Sequence, residues 1–139
     1  MEKKVMIRKA VFGDDAMLTE LAAQLGARVD AVKSKDRLLD LLKRDDHVIY
    51  LAEVDRKIVG FVHGFLYRLL HKETVCEIGG LVVDQNHRKM GIGSRLVGAI
   101  EEWAKAKGFG QVYVHSNIVR EEAHSFYQNM GFELIKTHH

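Results

Sequence analysis

The residues with the most pointed chemistry stand in one stretch, Leu81-Val82-Val83-Asp84-Gln85-Asn86-His87-Arg88-Lys89-Met90-Gly91-Ile92-Gly93-Ser94-Arg95-Leu96. A β-branched apolar run ends there, a polar turn follows, and glycines open an amphipathic helix. The first N–H groups of a helix have no partner within it, and the helix dipole adds partial positive charge at the same end. Gly91 and Gly93 remove side chains that would hold a phosphate away from those N–H groups. Arg88, Lys89 and Arg95 add positive charge nearby. A pyrophosphate is the group such a helix start would hold. Gly91-x-Gly93 lacks the third glycine of the dinucleotide fingerprint, and no acidic residue ends a suitable following strand. The GK[ST] of a Walker A loop is missing as well. On this stretch alone, a helix start that merely happens to be glycine-rich and basic reads the same way.

Glu77 interrupts the apolar strand Val75-Cys76-Glu77-Ile78, where a carboxylate is costly unless it is paired or used. Strand alternation sets it on the face of Gly79 and Leu81, unless a bulge at Gly79-Gly80 shifts it. Glycines inside a strand mark such a bulge or the close approach of a ligand. The competing reading is a Glu at a strand edge, facing water or paired with Arg68 or Lys72. Cys76 is the only cysteine, so neither an intrachain disulfide nor a multi-thiolate metal site is expected. Without a basic neighbour in sequence it is expected to be an inert buried thiol. His63, His71, His115 and His124 fall on four separate elements without HExxH spacing. They are expected to be solvated or hydrogen-bonded, and no metal is expected.

These residues need a scaffold, and the chain can supply one. Its 139 residues fit a single domain over 1–139, and 47% apolar with 29% charged residues is a globular balance. A net charge of +2 is too small to point to nucleic acid or to an anionic membrane. The polar start Met1-Glu2-Lys3-Lys4 opens no signal peptide, and no apolar run approaches the ~20 residues that span a bilayer. A cytoplasmic protein is expected. Strands are predicted at Val5 to Lys9, His47 to Val54, Ile58 to Tyr67, Thr74 to Val83, Gln111 to Ser116 and Phe132 to Lys136. Asp55-Arg56-Lys57 turns the second into the third. Helices are predicted after a cap at Asp14 or Asp15 (stripe Met17, Leu18, Leu21, Ala22, Leu25), from Ser34 to Arg44, from Gly91 to Lys107, and from Arg120 to Asn129. The β-helix-β order from Thr74 to Ser116 makes that strand pair parallel. The class is α/β, a mixed, mostly antiparallel sheet flanked by helices.

Arg88-x-x-Gly91-x-Gly93 at a strand-to-helix junction is followed by Ala123-His124-Ser125-Phe126-Tyr127-Gln128-Asn129-Met130-Gly131-Phe132, with Tyr127 four residues before Gly131-Phe132. In motif order, spacing and element order this resembles the GCN5-related N-acetyltransferases over essentially the whole chain. Asn117, Arg120, Ala123-His124 and Phe126-Tyr127 are most similar to the aminoalkylphosphonate and aminoglycoside acetyltransferase branch. The resemblance implies the acyl-CoA N-acyltransferase fold, with acetyl-CoA as co-substrate. It implies that the backbone of Leu81, Val82 and Val83 pairs with the pantetheine arm, and that Asn117 touches it. Backbone N–H groups of Lys89, Met90, Gly91, Ile92, Gly93 and Ser94 would hold the pyrophosphate beside Arg88. In the family the strand splays from its parallel neighbour at the position of Gly79-Gly80, opening the acetyl cleft.

Tyr127 matches the family's general acid, and a phenol of pKa ~10 can protonate a leaving thiolate over a short hydrogen bond. The stripe of Ala123, Phe126 and Met130 taken alone favours a core residue with its hydroxyl merely satisfied. The amine must arrive neutral, so a base is wanted, and Glu77 is the candidate, with His115 and His124 as runner-up relays. Backbone N–H groups near Val83 would polarise the thioester carbonyl. Phe65, Tyr67 and the segment from Gly26 to Arg37 are candidates for the acceptor wall. The function implied is direct transfer from acetyl-CoA to a primary amine of a small molecule in a ternary complex. A protein N-terminal or lysine acetyltransferase, and an acyl-CoA sensor without turnover, are the alternatives. The chain ends at His138-His139, soon after Gly131, which leaves room for a partner subunit, hence a homodimer, to complete the acceptor site.

Overall fold

The central runs, rich in β-branched and aromatic residues, form an antiparallel meander of β2 (His47–Val54), β3 (Lys57–Leu69) and β4 (Lys72–Val83). The computed structural model describes residues 4–25, 31–88, 90–115 and 134–135. Among these, β1 (Val5–Lys9) adds antiparallel to β2, β5 (Val112–His115) adds parallel to β4, and β6 (Leu134–Ile135) adds parallel to β5. The sheet therefore runs β1-β2-β3-β4-β5-β6, mixed as the sequence predicts. The β2–β3 connection is tighter than the expected three residues. Asp55 and Arg56 alone make it, both at positive φ (52° and 66°), as a type I′ turn between twisted strands requires.

Helices α1 (Asp15–Ala22) and α2 (Ala31–Leu42) cover one face, and α3 (Ile92–Ala106) the other. Helix α2 begins three residues earlier than the predicted Ser34. Asp14 precedes α1 but does not cap it with its side chain. Its carboxylate instead accepts the Val11 N–H at 2.7 Å and two bonds from the Arg8 guanidinium at 2.9 and 3.0 Å. Arg8 also reaches Glu53 at 2.8 Å, which ties β1, β2 and the start of α1 together.

Two glycines on β3 set the height of α3 over the sheet. A Cβ on Gly64 would stand 2.7 Å from Ile100 Cδ1, and one on Gly60 would stand 3.0 Å from the Val82 carbonyl oxygen. Ile92, Leu96, Val97 and Ile100 of α3 are buried there with Val62, Leu66, Cys76 and Ile78. The opposite face is a smaller core in which Leu21 and Leu38 meet Leu51, Ile58 and Val82.

Candidate functional site

The junction of β4 and α3 is built by the stretch that stood out in the sequence. Strand β4 ends at Val83, a short 3-10 turn covers Gln85–His87, and α3 begins after Gly91. Gly91 has φ +77°, a left-handed conformation that side chains rarely adopt, and a Cβ there would meet nothing within 4 Å. The chain thus turns into α3 with open space before its first N–H groups. No side chain of the N-cap residue bonds to them, since that residue is glycine. Ile92 and Gly93 are buried, whereas Ser94, Met90 and Arg88 are exposed around the opening. Arg88 Nε lies 3.4 Å from the Val83 carbonyl oxygen, which holds the guanidinium stem at the strand end. Arg95 differs from expectation. Its Nη1 donates to the Val5 carbonyl at 2.8 Å, so its charge ties α3 to β1. His87 and Asp84 pair across the turn at 2.9 Å, and that contact holds the Asp84 carboxyl below its usual range.

Strand β4 carries the irregularity that its double glycine predicts. Gly64 pairs with Ile78 and His63 with Gly80, so Gly79 is the extra residue of a bulge. The bulge corrects the simple alternation. Glu77, opposite Phe65, shares a face with Gly80 and Val82, and Leu81 turns to the α3 side opposite Val62. Towards β5, β4 pairs only at Cys76, Glu77 and Ile78, and among the described residues the ladder ends there. Past the bulge, the backbone of Leu81, Val82 and Val83 is paired on its β3 side with Val62, Phe61 and Gly60. An extended ligand laid along the other side would meet strand backbone. Such backbone could pair with it as one more strand.

Glu77 is 9% exposed, so it does not face water as a strand-edge Glu would. Cys76 beside it is fully buried, and burial, with the nearby Glu77 charge, pushes its thiol up to about 11. It is the inert thiol expected. The Glu77 face continues across β3 and β2. The ring of Phe65 stacks on His47 at 5.5 Å, meets Tyr67 edge-on at 6.3 Å, and would lie 3.1 Å from a Cβ on Gly79. Phe65 and the half-exposed Tyr67, the candidates for the acceptor wall, therefore lie on the face that carries Glu77. Between this face, α1 and α2 lies a cavity of about 130 Å³, bounded by Asp15, Thr19, Ser34 and Arg37 above and by Phe61 and His63 below. His63 Nε2 stands 3.0 Å from His47 Nδ1. Burial, and the neighbouring His47, lower the His63 pKa to about 4.

The sequence did not single out His47, nor this role for His63. Strand alternation alone puts His63, Phe65 and Tyr67 on one face, but the diagonal contact to β2 depends on register. Among the described residues no group of three or more His, Cys, Asp or Glu could hold a metal. Tyr127, Asn117, Lys89, His124, Arg120 and the predicted helix around them lie outside the described residues.

Known proteins repeat this architecture. The model of the acetyltransferase (GNAT) family matches residues 16–132. An uncharacterized N-acetyltransferase of Methanocaldococcus jannaschii is 35% identical over 95 residues, covering 67% of this chain and 42% of that protein. The chain spans 37% and 30% of two further N-acetyltransferases it matches, from Homo sapiens and Danio rerio. The structure of an aminoglycoside N-acetyltransferase, AAC(6')-Iy, in complex with CoA superposes with TM-score 0.85 at 18% identity, over 100% of this chain and 94% of that one. Glucosamine-6-phosphate N-acetyltransferase from Arabidopsis thaliana gives 0.80 at 22% identity, over 98% and 96%.

Proposed function

The chain belongs to the acetyltransferase (GNAT) family, and from that premise we propose that it moves the acetyl group of acetyl-CoA directly onto a primary amine of a small molecule. The observation that carries this reading is the pairing of two openings on one strand. Among the described residues the β4–β5 pairing ends at Ile78, and the chain then enters α3 through the left-handed Gly91. The first opening offers strand backbone to an extended arm, and the second offers helix N–H groups to a diphosphate. Acetyl-CoA carries both groups, joined in that order.

In this reading Leu81, Val82 and Val83 hold the pantetheine arm through their backbone, with Asn117 beside it. The N–H groups from Lys89 through Met90, Gly91, Ile92 and Gly93 to Ser94 hold the pyrophosphate, with Arg88 alongside. Glu77 lies on the opposite face, below the bulge and against the Phe65 wall, where a carboxylate attracts an ammonium and, through water, takes its proton. The neutral amine attacks the thioester carbon. The N–C bond forms and the C–S bond breaks as N–H groups near Val83 stabilise the oxyanion. Tyr127 gives the departing thiolate its proton, and the proton that the attached nitrogen sheds on becoming an amide restores the phenol.

The test is thiol release. Purified protein, acetyl-CoA and a panel of aminoalkylphosphonates, polyamines and aminoglycosides are expected to give free thiol and acetylated amine in equal amounts. Acetyl-CoA binding without thiol release on any amine would instead favour a sensor. Release only on peptide amines would move the acceptor to a protein.

A further inference from the structure

Two histidines from neighbouring strands meet beside the cavity beneath α1 and α2, and one of them, His63, lines its floor. His47 opens β2 and His63 lies mid-way along β3, and neither is the other's direct cross-strand partner. His47 stands opposite Phe65, and His63 opposite Ile49. The rings reach each other diagonally, with His47 Nδ1 and His63 Nε2 3.0 Å apart. Phe65 braces both, stacked on His47 at 5.5 Å and 6.0 Å from His63. On its other side His63 is the register partner of Gly80, the residue after the bulge, on the face of β4 that also carries Glu77, and it lines the cavity.

We propose that His63 and His47 form a proton relay that carries the proton released by the acceptor amine out of the site to solvent. The inference rests on the acetyl-transfer reading. An alkylammonium that becomes an amide, with CoA leaving as a neutral thiol, releases one net proton per turnover. If Glu77 kept that proton it would be neutral for the next amine. The relay balances in N–H bonds alone. His63 Nδ1 takes the proton, its Nε2 proton passes to His47 Nδ1, and His47 Nε2 gives its proton to water. Both rings end neutral as the other tautomer, and exchange of their ring protons with water resets them before the next turnover.

The surroundings suit transit rather than storage. The groups facing His63 are Asp15 from α1, Arg37 from α2, His47 from β2 and, on the same face of β4, Glu77. Burial and His47 keep His63 uncharged near neutral pH, so it does not hold a proton that reaches it. His47, half-buried like His63, opens β2 two residues after the exposed Asp45, which places it at the end of the pair nearer the surface loop.

The relay is tested by His63→Gln, His47→Gln and the double variant, with the best amine of the panel. Near pH 7, each single change is expected to lower kcat roughly 10- to 100-fold with acetyl-CoA affinity unchanged. The double variant should be no slower than the slower single one, because steps in series are lost only once. Millimolar imidazole should restore part of the rate, and the deficit should narrow as pH approaches the pKa of the amine. An unchanged kcat, losses that multiply, or indifference to imidazole and pH would overturn the relay. Imidazole-nitrogen NMR of the unmodified protein tests it without any turnover. A neutral His63 hydrogen-bonded to His47 at about pH 6 supports the relay, and a charged His63 there overturns it. Loss of acetyl-CoA binding would instead strike the transfer reading, and leaves the NMR result to decide the histidine pair.

Discussion

The two faces of the sheet are built on opposite terms. On the α3 face, Leu96, Val97 and Ile100 are completely buried, glycines at 60 and 64 let the helix press onto β3, and the core is apolar throughout. On the α1 and α2 face a cavity remains, and Glu77, His63 and Phe65 are presented on the strands around it. The packed face fixes a helix end in space, and the open face holds groups that can move protons. The transfer proposed above would use both, a rigid seat for a donor used every time and a separate chamber for the acceptor.

Substitutions should separate the faces, and the largest effect is expected at the proposed acid. Tyr127→Phe should lower kcat by about 100-fold or more with acetyl-CoA affinity preserved, and steady-state kinetics beside calorimetry would read the split. Equal losses in both would make Tyr127 a structural residue.

Next is acid stability of the open face. The His63 pKa, lowered by burial and His47 from 6.5 to about 4, means the unfolded chain takes a proton that the folded chain refuses. Stability should therefore fall as pH drops from about 6.5 towards 4, by on the order of 3 kcal/mol, and level off below. Denaturant titrations across that range should show the slope in the parent protein and lose this part of it in His63→Gln. Asp14, held low chiefly by its bonds to Arg8, acts only further down, where its carboxylate takes up a proton.

The packed face should respond through shape. Gly64→Ala places a Cβ 2.7 Å from Ile100 Cδ1 in a fully buried site. A loss of about 1–3 kcal/mol is expected by chemical denaturation. Smallest is the β2–β3 turn, remote from both faces, where Arg56→Gly relieves a positive φ of 66°. A gain of roughly 0.5–1 kcal/mol is expected there, with kinetics unchanged.

Legibility in the sequence follows the same division. Hydrophobic spacing and β-branched runs announced every described strand and helix to within a few residues, because each signal is local. The helix start proposed as the donor seat is local in the same way, since Arg88 to Ser94 is one contiguous stretch. The bulge at Gly79 was foreseen as a condition, and only the pairing of His63 with Gly80 and of Gly64 with Ile78 settled which face Glu77 takes. The His47–His63 contact was not legible, because it joins residues sixteen apart through strand register. Arg95 misled for the converse reason. Its position in the motif suggested a phosphate, but the long side chain finds the Val5 carbonyl across the fold.

The donor seat is central, and a calorimetric titration of the protein and of Gly91→Asp with acetyl-CoA tests it most directly. Asp, like Asn, enters the left-handed region more readily than other side chains, so the change adds a negative charge where the pyrophosphate is proposed to sit at modest backbone cost. Near-stoichiometric binding by the parent protein, weakened roughly tenfold or more in a variant that remains folded, is the result expected. Equal affinity in both proteins, or no binding by folded parent protein, would contradict it.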